Sequence, residues 1–353
     1  MVCPYSLSIP GGVQGQALGI ARAMRALGVE ARVLAPCDGP PPYGWVSPLG
    51  ASVPTAANGS VAPIAPDPSA ALRTIRALRD ERFDIVHLHE PLAPGPTWTA
   101  LLFSDGPLVG TFHRAGESAW YRFVRGPSRW GAKRLDLRCA VSALALQTAQ
   151  EALGGEYELV WNGIDVNRAA TAQPWPTLGP TVLFLGRHES RKGLEVLIEA
   201  VVGHKLDVRV WVAGQGPQTT EMREKTLGDP RFEWLGVIGE DEKFRRLRGA
   251  DVLVAPSLHG ESFGVVLLEG MAAGTAVVAS DIPGYANVAR PDRDAFLVPP
   301  GDPGALASAL REALIGGPEV KAMRESAYER ACQHSMDALA RRYLYLYATL
   351  LGD

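Results

Sequence analysis

The chain has 353 residues, 46% of them hydrophobic and 21% charged, and this length favours two domains because one hydrophobic core rarely serves more than about 250–300 residues. The formal net charge of −3 gives no reason to expect nucleic acid as a partner, and the four widely spaced cysteines argue against a zinc site or a disulfide framework. Neither a secretory leader nor an apolar run of about 18–20 residues is recognisable, which predicts a cytoplasmic protein, soluble or peripheral to a membrane.

Short apolar runs alternate with amphipathic helical stretches along the chain, a pattern typical of α/β domains built on parallel sheets. In the first half, strands are predicted at residues 1–5, 31–35, 84–88, 108–111, 138–141 and 158–161. Helices are predicted at residues 13–27, where apolar side chains recur at helical spacing before Gly28, and at residues 69–82. Residues 1–164 are therefore interpreted as one Rossmann-like domain.

Residues 165–180 are rich in proline and alanine and lack periodicity, which predicts an interdomain linker and candidate hinge. A second alternating series follows, with strands predicted at residues 181–185, 208–213, 232–235, 252–255 and 276–279. Helices are predicted between and after them at residues 194–202, 221–227, 240–248, 264–273 and 303–315. Residues 181–335 are interpreted as a second Rossmann-like domain. A terminal helix at residues 338–351, within residues 336–353, is expected to cross back to the first domain.

The sharpest motif is HGESFG at residues 259–264, followed by the apolar helix that holds Glu269. The amides of residues 262–265 would lie unpaired at the start of this helix, where the helix dipole favours an anion such as a diphosphate. Glu261 and Glu269 would repel that anion unless they bind something else, and carboxylates readily accept hydrogen bonds from sugar and ribose hydroxyls. Either glutamate alone would be an ordinary surface charge, but in this context both are interpreted as ligand-binding residues.

A second group of residues follows the strand predicted at residues 181–185. Arg187 comes directly after Gly186, and Arg191 and Lys192 precede the next helix. Because ligands of open α/β sheets bind at the carboxyl ends of strands, Arg187 and Lys192 are predicted to neutralise charge on a departing nucleoside diphosphate. A solvated basic turn is the alternative interpretation of this segment.

The segment PGGV at residues 10–13 follows the first predicted strand, and its paired glycines allow a ligand to approach the backbone closely. It does not match G-x-G-x-x-G, and no acidic residue ends the second strand, which argues against a nicotinamide-dependent dehydrogenase. His113 lies at another strand end and is a candidate site residue, whereas His87 is interpreted as structural. His87 and His89 lack a third ligand at suitable spacing, which argues against a metal site.

Seven segments, taken in chain order, carry a family resemblance: MVCPYS with PGGVQ, NGSVA at residues 58–62, HLHEP, GTFH, WNGIDV, VLFLGR with RKG, and GESFGVVLLEGMAAGTAVVASD. They resemble the retaining glycosyltransferases of family GT4, and the last segment is highly specific for that family. The resemblance implies the GT-B fold, an α/β architecture of two Rossmann-like parallel-sheet domains facing across a cleft, with the donor site between them. Within the family, the first segment and HLHEP resemble the enzymes that mannosylate an inositol lipid.

By matching position, the resemblance also implies roles for individual residues. The implied catalytic residues, which hold the transferred sugar and the diphosphate, are His113, Arg187, Lys192 and Glu261. The implied donor-binding residues are Gly12, Arg187, Lys192, Ile238, Glu261, Ser262, Phe263, Gly264, Val265 and Glu269. Of these, Glu261 is assigned to the sugar hydroxyls and Glu269 to the ribose. The implied acceptor-binding residues, which would face the inositol phosphate, are Tyr5, Gln14, Asn58 and Ser60.

The implied reaction is transfer of a mannosyl residue from GDP-mannose to the inositol of phosphatidyl-myo-inositol at the cytoplasmic membrane face. Configuration would be retained through a front-face path in which the leaving phosphate takes the acceptor proton, so no side-chain base is required. We expect no tightly bound cofactor and no protein metal site, with a divalent cation at most stimulatory. No oligomer is required for this reaction.

Two segments depart from the pattern of the inositol-lipid enzymes and leave the acceptor open. Pro63 stands where an arginine is usual, and RAGES at residues 114–118 replaces a run rich in serine and threonine. One alternative is a GT4 enzyme that uses a UDP- or ADP-sugar or a soluble acceptor. Others are a sugar-nucleotide epimerase, a phosphorylase, for which no convincing lysine for pyridoxal phosphate is found, and a non-enzymatic sugar-nucleotide-binding protein.

Cations and aromatic residues cluster in two segments of the first half. Residues 114–138 carry seven Arg and Lys residues against two acids, interleaved with Trp120, Tyr121, Phe123 and Trp130. The helix predicted at residues 69–82 adds the exposed-face candidates Arg73, Arg76 and Arg79. Such surfaces are typical of proteins that bind anionic lipid headgroups, and they predict peripheral binding to the inner face of the plasma membrane. Core aromatics with solvated arginines are the alternative interpretation.

Overall fold

The computed structural model describes residues 1–57, 60–114 and 125–352. By its internal contacts the chain divides into two compact units. The first comprises Met1–Gly163 with Met336–Asp353, and the second comprises Ile164–Ser335.

The first unit is built on a parallel sheet in the order β5-β6-β7-β8, with a parallel pair β1-β2 and an antiparallel hairpin β3-β4. The strands are β1 (Val33–Ala35), β2 (Val46–Pro48), β3 (Val53–Ala57), β4 (Ser60–Ile64), β5 (Val86–His89), β6 (Leu108–Phe112), β7 (Leu137–Ala140) and β8 (Glu158–Leu159). Five of these, β1 and β5 to β8, lie where strands are predicted.

The strand predicted at residues 1–5 is wrong in extent, because only isolated bridges form there. Val2 pairs in parallel with both Leu34 and Leu88, and so joins β1 to β5. Cys3 still donates to the Leu34 carbonyl at 3.0 Å. Pro4 follows and has no N–H to continue the ladder, so the pairing ends there.

The helices of the first unit are α1 (Gly12–Ala26), α2 (Pro68–Glu81), α3 (Pro96–Phe103), α4 (Arg125–Lys133), α5 (Ala143–Leu153) and the terminal α13 (Met336–Leu351). The two helices predicted in the first half are confirmed as α1 and α2. Helix α2 is capped by Asp67, whose side chain accepts hydrogen bonds from the amides of Ser69 and Ala70, and proline occupies the first helical position. Helix α3 is apolar on most sides, so it has no periodicity to reveal it.

Helix α13 packs against α1 in the first unit. Its buried face carries Tyr343 and Tyr347, whose hydroxyls lie 2.9 Å from Thr111 Oγ1 and 2.6 Å from His87 Nδ1. Tyr345 points to the other side and is exposed. Within the residues that the structure describes, no helix is both long and apolar enough to span a bilayer.

The second unit contains a six-stranded, fully parallel sheet in the order β11-β10-β9-β12-β13-β14. Its strands are β9 (Thr181–Leu185), β10 (Arg209–Ala213), β11 (Phe232–Gly236), β12 (Val252–Ala255), β13 (Ala276–Ser280) and β14 (Phe296–Val298). All five strands predicted in this half are confirmed, two of them with the same bounds.

Helices cover both faces of this sheet: α6 (Val166–Thr171), α7 (Leu194–Gly203), α8 (Thr219–Lys225), α9 (Glu240–Gly249), α10 (Val265–Ala272), α11 (Pro303–Ile315) and α12 (Pro318–Gln333). Alternate residues of β9 face opposite sides, so Val182 and Phe184 pack with α7 and α11. Leu183 packs with α9, α10 and α12. A strand buried on both faces is a continuous apolar run, which is why it was predictable.

Residues 165–180, interpreted from the sequence as a linker, are instead part of the second unit. Helix α6 occupies their first part. Further on, the Trp175 amide donates to the Arg245 carbonyl at 2.8 Å. The Arg246 guanidinium lies 4.0 Å from the Trp175 ring centre and 4.4 Å from that of Trp211. This cation–π sandwich fixes a segment whose composition alone resembles a flexible connection.

Candidate functional site

The loop that follows β9 carries the predicted cations. It closes in a short 3₁₀ turn at Ser190–Lys192 and passes into α7 through Gly193, which has φ 68°. A Cβ at Gly193 would lie 1.9 Å from the Pro256 carbonyl oxygen, so only glycine fits. The Leu258 amide donates to the Arg191 carbonyl at 2.7 Å. These contacts hold the loop against the chain that leaves β12, the strand beside β9.

The structure brings the predicted residues Lys192 and Glu261 into direct contact. Lys192 Nζ donates to Glu261 Oε1 at 2.5 Å, and Arg191 Nη1 donates to the same oxygen at 3.3 Å. Ser257 Oγ donates to it at 3.2 Å. The side chains of Lys192 and Glu261 are only 19% and 12% exposed, so this charge pair is partly removed from water.

Arg187 lies in the same network through a residue that sequence reasoning missed. Its Nε is 2.8 Å from Glu189 Oε1, and Arg191 Nε donates to Glu189 Oε2 at 2.9 Å. Glu189 is buried, although its neighbours in the sequence are charged and polar. The charged and polar sequence RHESRK at residues 187–192 gives no sign that Glu189 is buried.

Helix α10 begins next to Glu261. Gly264 caps it with φ 95° and supplies no side-chain hydrogen bond, so the amides of the first turn have no cap from the N-cap side chain. Of these amides, that of Leu267 donates to the Gly264 carbonyl at 3.0 Å. A Cβ at Gly284 would lie 2.0 Å from the Glu261 carbonyl oxygen, which shows how closely the Glu261–Gly264 segment is packed. Ser262 and Val265 are partly exposed there, whereas the Phe263 side chain is buried in the core. Only the backbone of Phe263 is placed to meet a ligand.

Glu269, one turn further along α10, is paired with a lysine that was not predicted. Lys243 Nζ donates to Glu269 Oε1 and to Glu240 Oε1, both at 2.7 Å. Burial lowers the pKa of Lys243, but the carboxylates of Glu269 and Glu240 outweigh burial and leave that pKa above its ordinary value. Ile238 lies half-buried in the short connection between β11 and α9, just before Glu240.

In the first unit, Gly12 begins α1, and a Cβ there would meet nothing within 4 Å. The space beside this backbone is therefore open. Gln14, predicted to face the acceptor, uses its amide nitrogen to donate to the Ser6 and Ile9 carbonyls at 3.3 and 3.1 Å. Its side chain thus braces the loop before α1, and only its amide oxygen is left for a ligand.

His113 belongs to a buried cluster at the carboxyl ends of β5 and β6. Its Nε2 lies 3.0 Å from His89 Nδ1, and its amide donates to Glu90 Oε1 at 2.8 Å. Burial lowers the pKa of His113 to about 3, so this imidazole is uncharged near neutral pH. His87 is bonded on both nitrogens, to Tyr347 and Thr111, as a structural histidine is.

The remaining predicted residues fall around the β3-β4 hairpin. Tyr5 forms an antiparallel bridge with Ile64, and Ser60 begins β4. Pro63 lies within β4 and accepts a hydrogen bond from the Ser6 amide at 2.9 Å. Asn58 lies outside the described residues, as do Trp120, Tyr121 and Phe123.

Arg73, Arg76 and Arg79 are exposed on α2, on the side opposite its buried residues Ala70, Thr74 and Leu78. Leu72 is exposed on the same side. On α4, Trp130 is half exposed, and the Arg134 guanidinium lies 5.7 Å from its ring centre. Cations and apolar side chains are thus together on the surfaces of these helices.

Comparison with known proteins supports a family assignment. The family described as "Glycosyltransferase Family 4" matches residues 10–168, and that described as "Glycosyl transferases group 1" matches residues 179–315. The chain is 41% identical to the phosphatidyl-myo-inositol mannosyltransferase of Mycobacterium leprae, over 88% of this chain and 85% of the relative. It is 37% identical to the protein of the same name from Mycobacterium tuberculosis, over 100% of this chain and 97% of the relative.

Among solved structures, sucrose-phosphate synthase from Thermosynechococcus elongatus aligns with a TM-score of 0.75 and 20% identity, over 99% of this chain and 98% of that one. This likeness shows the fold alone, while the sequence relatives show the family. The chain therefore belongs to glycosyltransferase family 4, has the GT-B fold, and is similar over its whole length to phosphatidyl-myo-inositol mannosyltransferases.

Proposed function

We propose that this glycosyltransferase transfers a mannosyl residue from GDP-mannose to the inositol of phosphatidyl-myo-inositol, with retention of configuration. The names of the relatives support the sugar and the acceptor, at 41% and 37% identity. The main observation that supports binding of a nucleoside-diphosphate donor is the contact of Lys192 and Arg191 with Glu261. This contact lies beside the start of α10, which has no side-chain cap.

In this proposal the donor diphosphate is bound by the guanidinium groups of Arg187 and Arg191, the ammonium of Lys192 and the first-turn amides of α10. Each of these groups favours negative charge. Glu261 then accepts hydrogen bonds from the sugar hydroxyls, and Glu269 from the ribose hydroxyls. The two carboxylates are eight residues apart on one loop–helix unit, which is why one motif specifies both.

The chemical step in the proposal follows a front-face path. The inositol hydroxyl attacks the anomeric carbon from the side on which the phosphate leaves, and the leaving phosphate takes its proton. Lys192 and Arg187 stabilise the charge that develops on the diphosphate. His113 acts in this proposal as a hydrogen-bonding residue and not as a proton donor, because its lowered pKa keeps it neutral.

With an inositol lipid as acceptor, the enzyme in this proposal acts at the cytoplasmic surface of the membrane. Exposed Arg73, Arg76 and Arg79 on α2, with Leu72 beside them, match the chemistry of an anionic lipid surface. The basic helix α4 adds the half-exposed Trp130. A soluble acceptor or another nucleotide sugar is the competing proposal, and Pro63 is the residue that favours it.

The test begins with thermal-shift measurements using GDP, UDP and ADP, followed by transfer from the matching sugar nucleotide to phosphatidylinositol in vesicles. Stabilisation by GDP and formation of an α-mannosylated inositol lipid are expected. Product with inverted configuration, or transfer from a UDP-sugar with GDP-mannose inert, would refute the donor and stereochemical assignments. Transfer to free inositol phosphate but not to the lipid would refute the membrane acceptor.

A further inference from the structure

Glu189 is the one buried carboxylate in the loop that carries the predicted cations. The residue is 7% exposed, whereas the side chains of its partners Arg187 and Arg191 are 44% and 32% exposed. Its two carboxylate oxygens are divided between the two arginines, at 2.8 Å and 2.9 Å. Both long side chains are therefore anchored at one buried point, and their charged ends remain partly accessible.

The backbone of Glu189 is fixed as firmly as its side chain. Its amide donates to the Arg187 carbonyl at 2.9 Å, and its carbonyl accepts from the Lys192 amide at 2.8 Å. One residue thus contacts all three cations of the loop, two through the carboxylate and the third through the main chain. We call Arg187, Arg191 and Lys192 together the phosphate clamp.

Glu261 touches the same clamp in a different way. Lys192, Arg191 and Ser257 all donate to its Oε1, so it takes up the ends of two clamp cations. An anion that enters the clamp must compete with Glu261 for those donors. Glu189 contacts the arginines differently, because its carboxylate lies against their Nε atoms and not against the Nη1 atom through which Arg191 donates to Glu261.

We propose that Glu189 is the positioning residue of the phosphate clamp, and that Glu261 is its internal competitor, releasing Lys192 and Arg191 when a nucleoside diphosphate binds. The proposal rests on the proposed function in one respect, that this loop binds the diphosphate of the donor. It adds that two neighbouring carboxylates, Glu189 and Glu261, have opposite effects on the affinity of the clamp for the same anion.

The geometry predicts that neutralising Glu261 and neutralising Glu189 change the Kd for GDP in opposite directions. Loss of a negative charge beside an anion site strengthens anion binding if charge alone matters. Glu261→Gln removes a competitor, so the Kd for GDP should fall several-fold. Glu189→Gln removes the anchor of two flexible arginines, which must then be ordered by the ligand itself, so the Kd for GDP should rise about tenfold despite the added net positive charge.

The experiment measures binding of GDP and of inorganic pyrophosphate by calorimetry to the full chain and its variants. Glu189→Asp keeps the charge but is one methylene shorter, and it is expected to weaken binding as well, which separates geometry from charge. Glu195→Gln is the matched control, because Glu195 is an exposed acid on α7 that pairs with Lys225. Its Kd should stay within about twofold of the wild-type value.

Unchanged or tighter GDP binding by a folded Glu189→Gln variant would overturn the proposal, and so would weaker binding by Glu261→Gln. If Glu189→Gln does not fold, as judged by circular dichroism, Glu189→Asp decides in its place. Where the wild type binds UDP or pyrophosphate but not GDP, the guanosine donor is refuted while the Glu189 comparison proceeds with the ligand that binds. Absence of binding to all of GDP, UDP, ADP and pyrophosphate would refute the clamp itself.

Discussion

Replacement of Lys192 by alanine removes the ammonium that lies 2.5 Å from Glu261 Oε1, where both side chains are largely buried. In the proposed reaction this group stabilises charge developing on the leaving diphosphate. Loss of one preorganised donor of that kind costs roughly 2–4 kcal/mol of barrier. At about 1.36 kcal/mol for each factor of ten, kcat should fall roughly 30- to 1000-fold.

The assay is transfer of labelled mannose from GDP-mannose to phosphatidylinositol under saturating donor, with single-turnover measurements to separate chemistry from product release. Lys225→Ala is the control, because Lys225 is an exposed cation on α8 that pairs with Glu221 of the same helix and with Glu195 of α7. A folded Lys192→Ala variant whose kcat stays within about threefold of the wild type would remove Lys192 from the charge-stabilising role.

Three further outcomes are expected. Glu261→Gln should lower turnover with GDP-mannose without weakening GDP binding, whereas Glu269→Gln should weaken both ligands, since each carries the ribose; calorimetry with the reverse pattern would exchange the two roles. The pKa of His113 is about 3 in the folded protein and about 6.5 in the unfolded chain, so the unfolded chain takes up a proton first as pH falls. The stability linked to neutral His113 is therefore fully present above pH 6.5 and is lost as pH falls towards 3. His113→Asn should therefore show a shallower acid loss of unfolding free energy in urea titrations, and an unchanged slope would contradict the burial argument. Arg73→Glu with Arg76→Glu should reduce co-sedimentation with anionic vesicles at least about tenfold, since each cation near anionic lipid contributes ~1 kcal/mol.

Each of these outcomes has a control. Binding of a ribose-free pyrophosphate should be insensitive to Glu269→Gln. Burial raises the pKa of Glu90, so this carboxyl adds unfolding free energy as pH falls, opposite to His113. The pH dependence of the unfolding free energy in His113→Asn is therefore compared with that in Glu90→Gln. Lys321→Glu, an exposed change on α12, should leave vesicle binding intact. Equal binding of the wild type to neutral and anionic vesicles would refute the electrostatic membrane surface.

Prediction from sequence succeeded where one physical signal dominated. The parallel strands β9 and β12 are apolar runs with sharp ends, and their predicted bounds match the structure. The β3-β4 hairpin was missed because each strand contains a proline, Pro54 or Pro63, which ordinarily argues against a strand. The linker interpretation of residues 165–180 was wrong because composition does not reveal that Trp175 stacks on Arg246.

The same division holds for the candidate site. Glu261 and Glu269 could be proposed as ligand-binding residues from the sequence, because a glycine-rich loop followed by an apolar helix is a local pattern typical of an anion-binding helix start. Their ion pairs were not predicted, because Lys243 and Lys192 reach them from other parts of the chain, 26 and 69 residues away. Lys192 was itself predicted as a site residue, but Lys243 was not. Glu189 lies beside its partners in sequence, yet only burial distinguishes it from a solvated acid.

The terminal helix α13 has a consequence for how the protein is made. It covers α1 with Leu339, Tyr343 and Leu346, and it supplies the hydroxyls that satisfy Thr111 and His87. Since α13 follows the whole second unit in the chain, a ribosome delivers it only after that unit has been synthesised. The unit begun first is therefore completed last, and until then the apolar face of α1 lacks the contacts that α13 supplies. A premature stop codon near residue 336 would spare every residue proposed to bind a ligand, yet we expect it to destabilise the first unit, because α1, Thr111 and His87 would lose their contacts with α13.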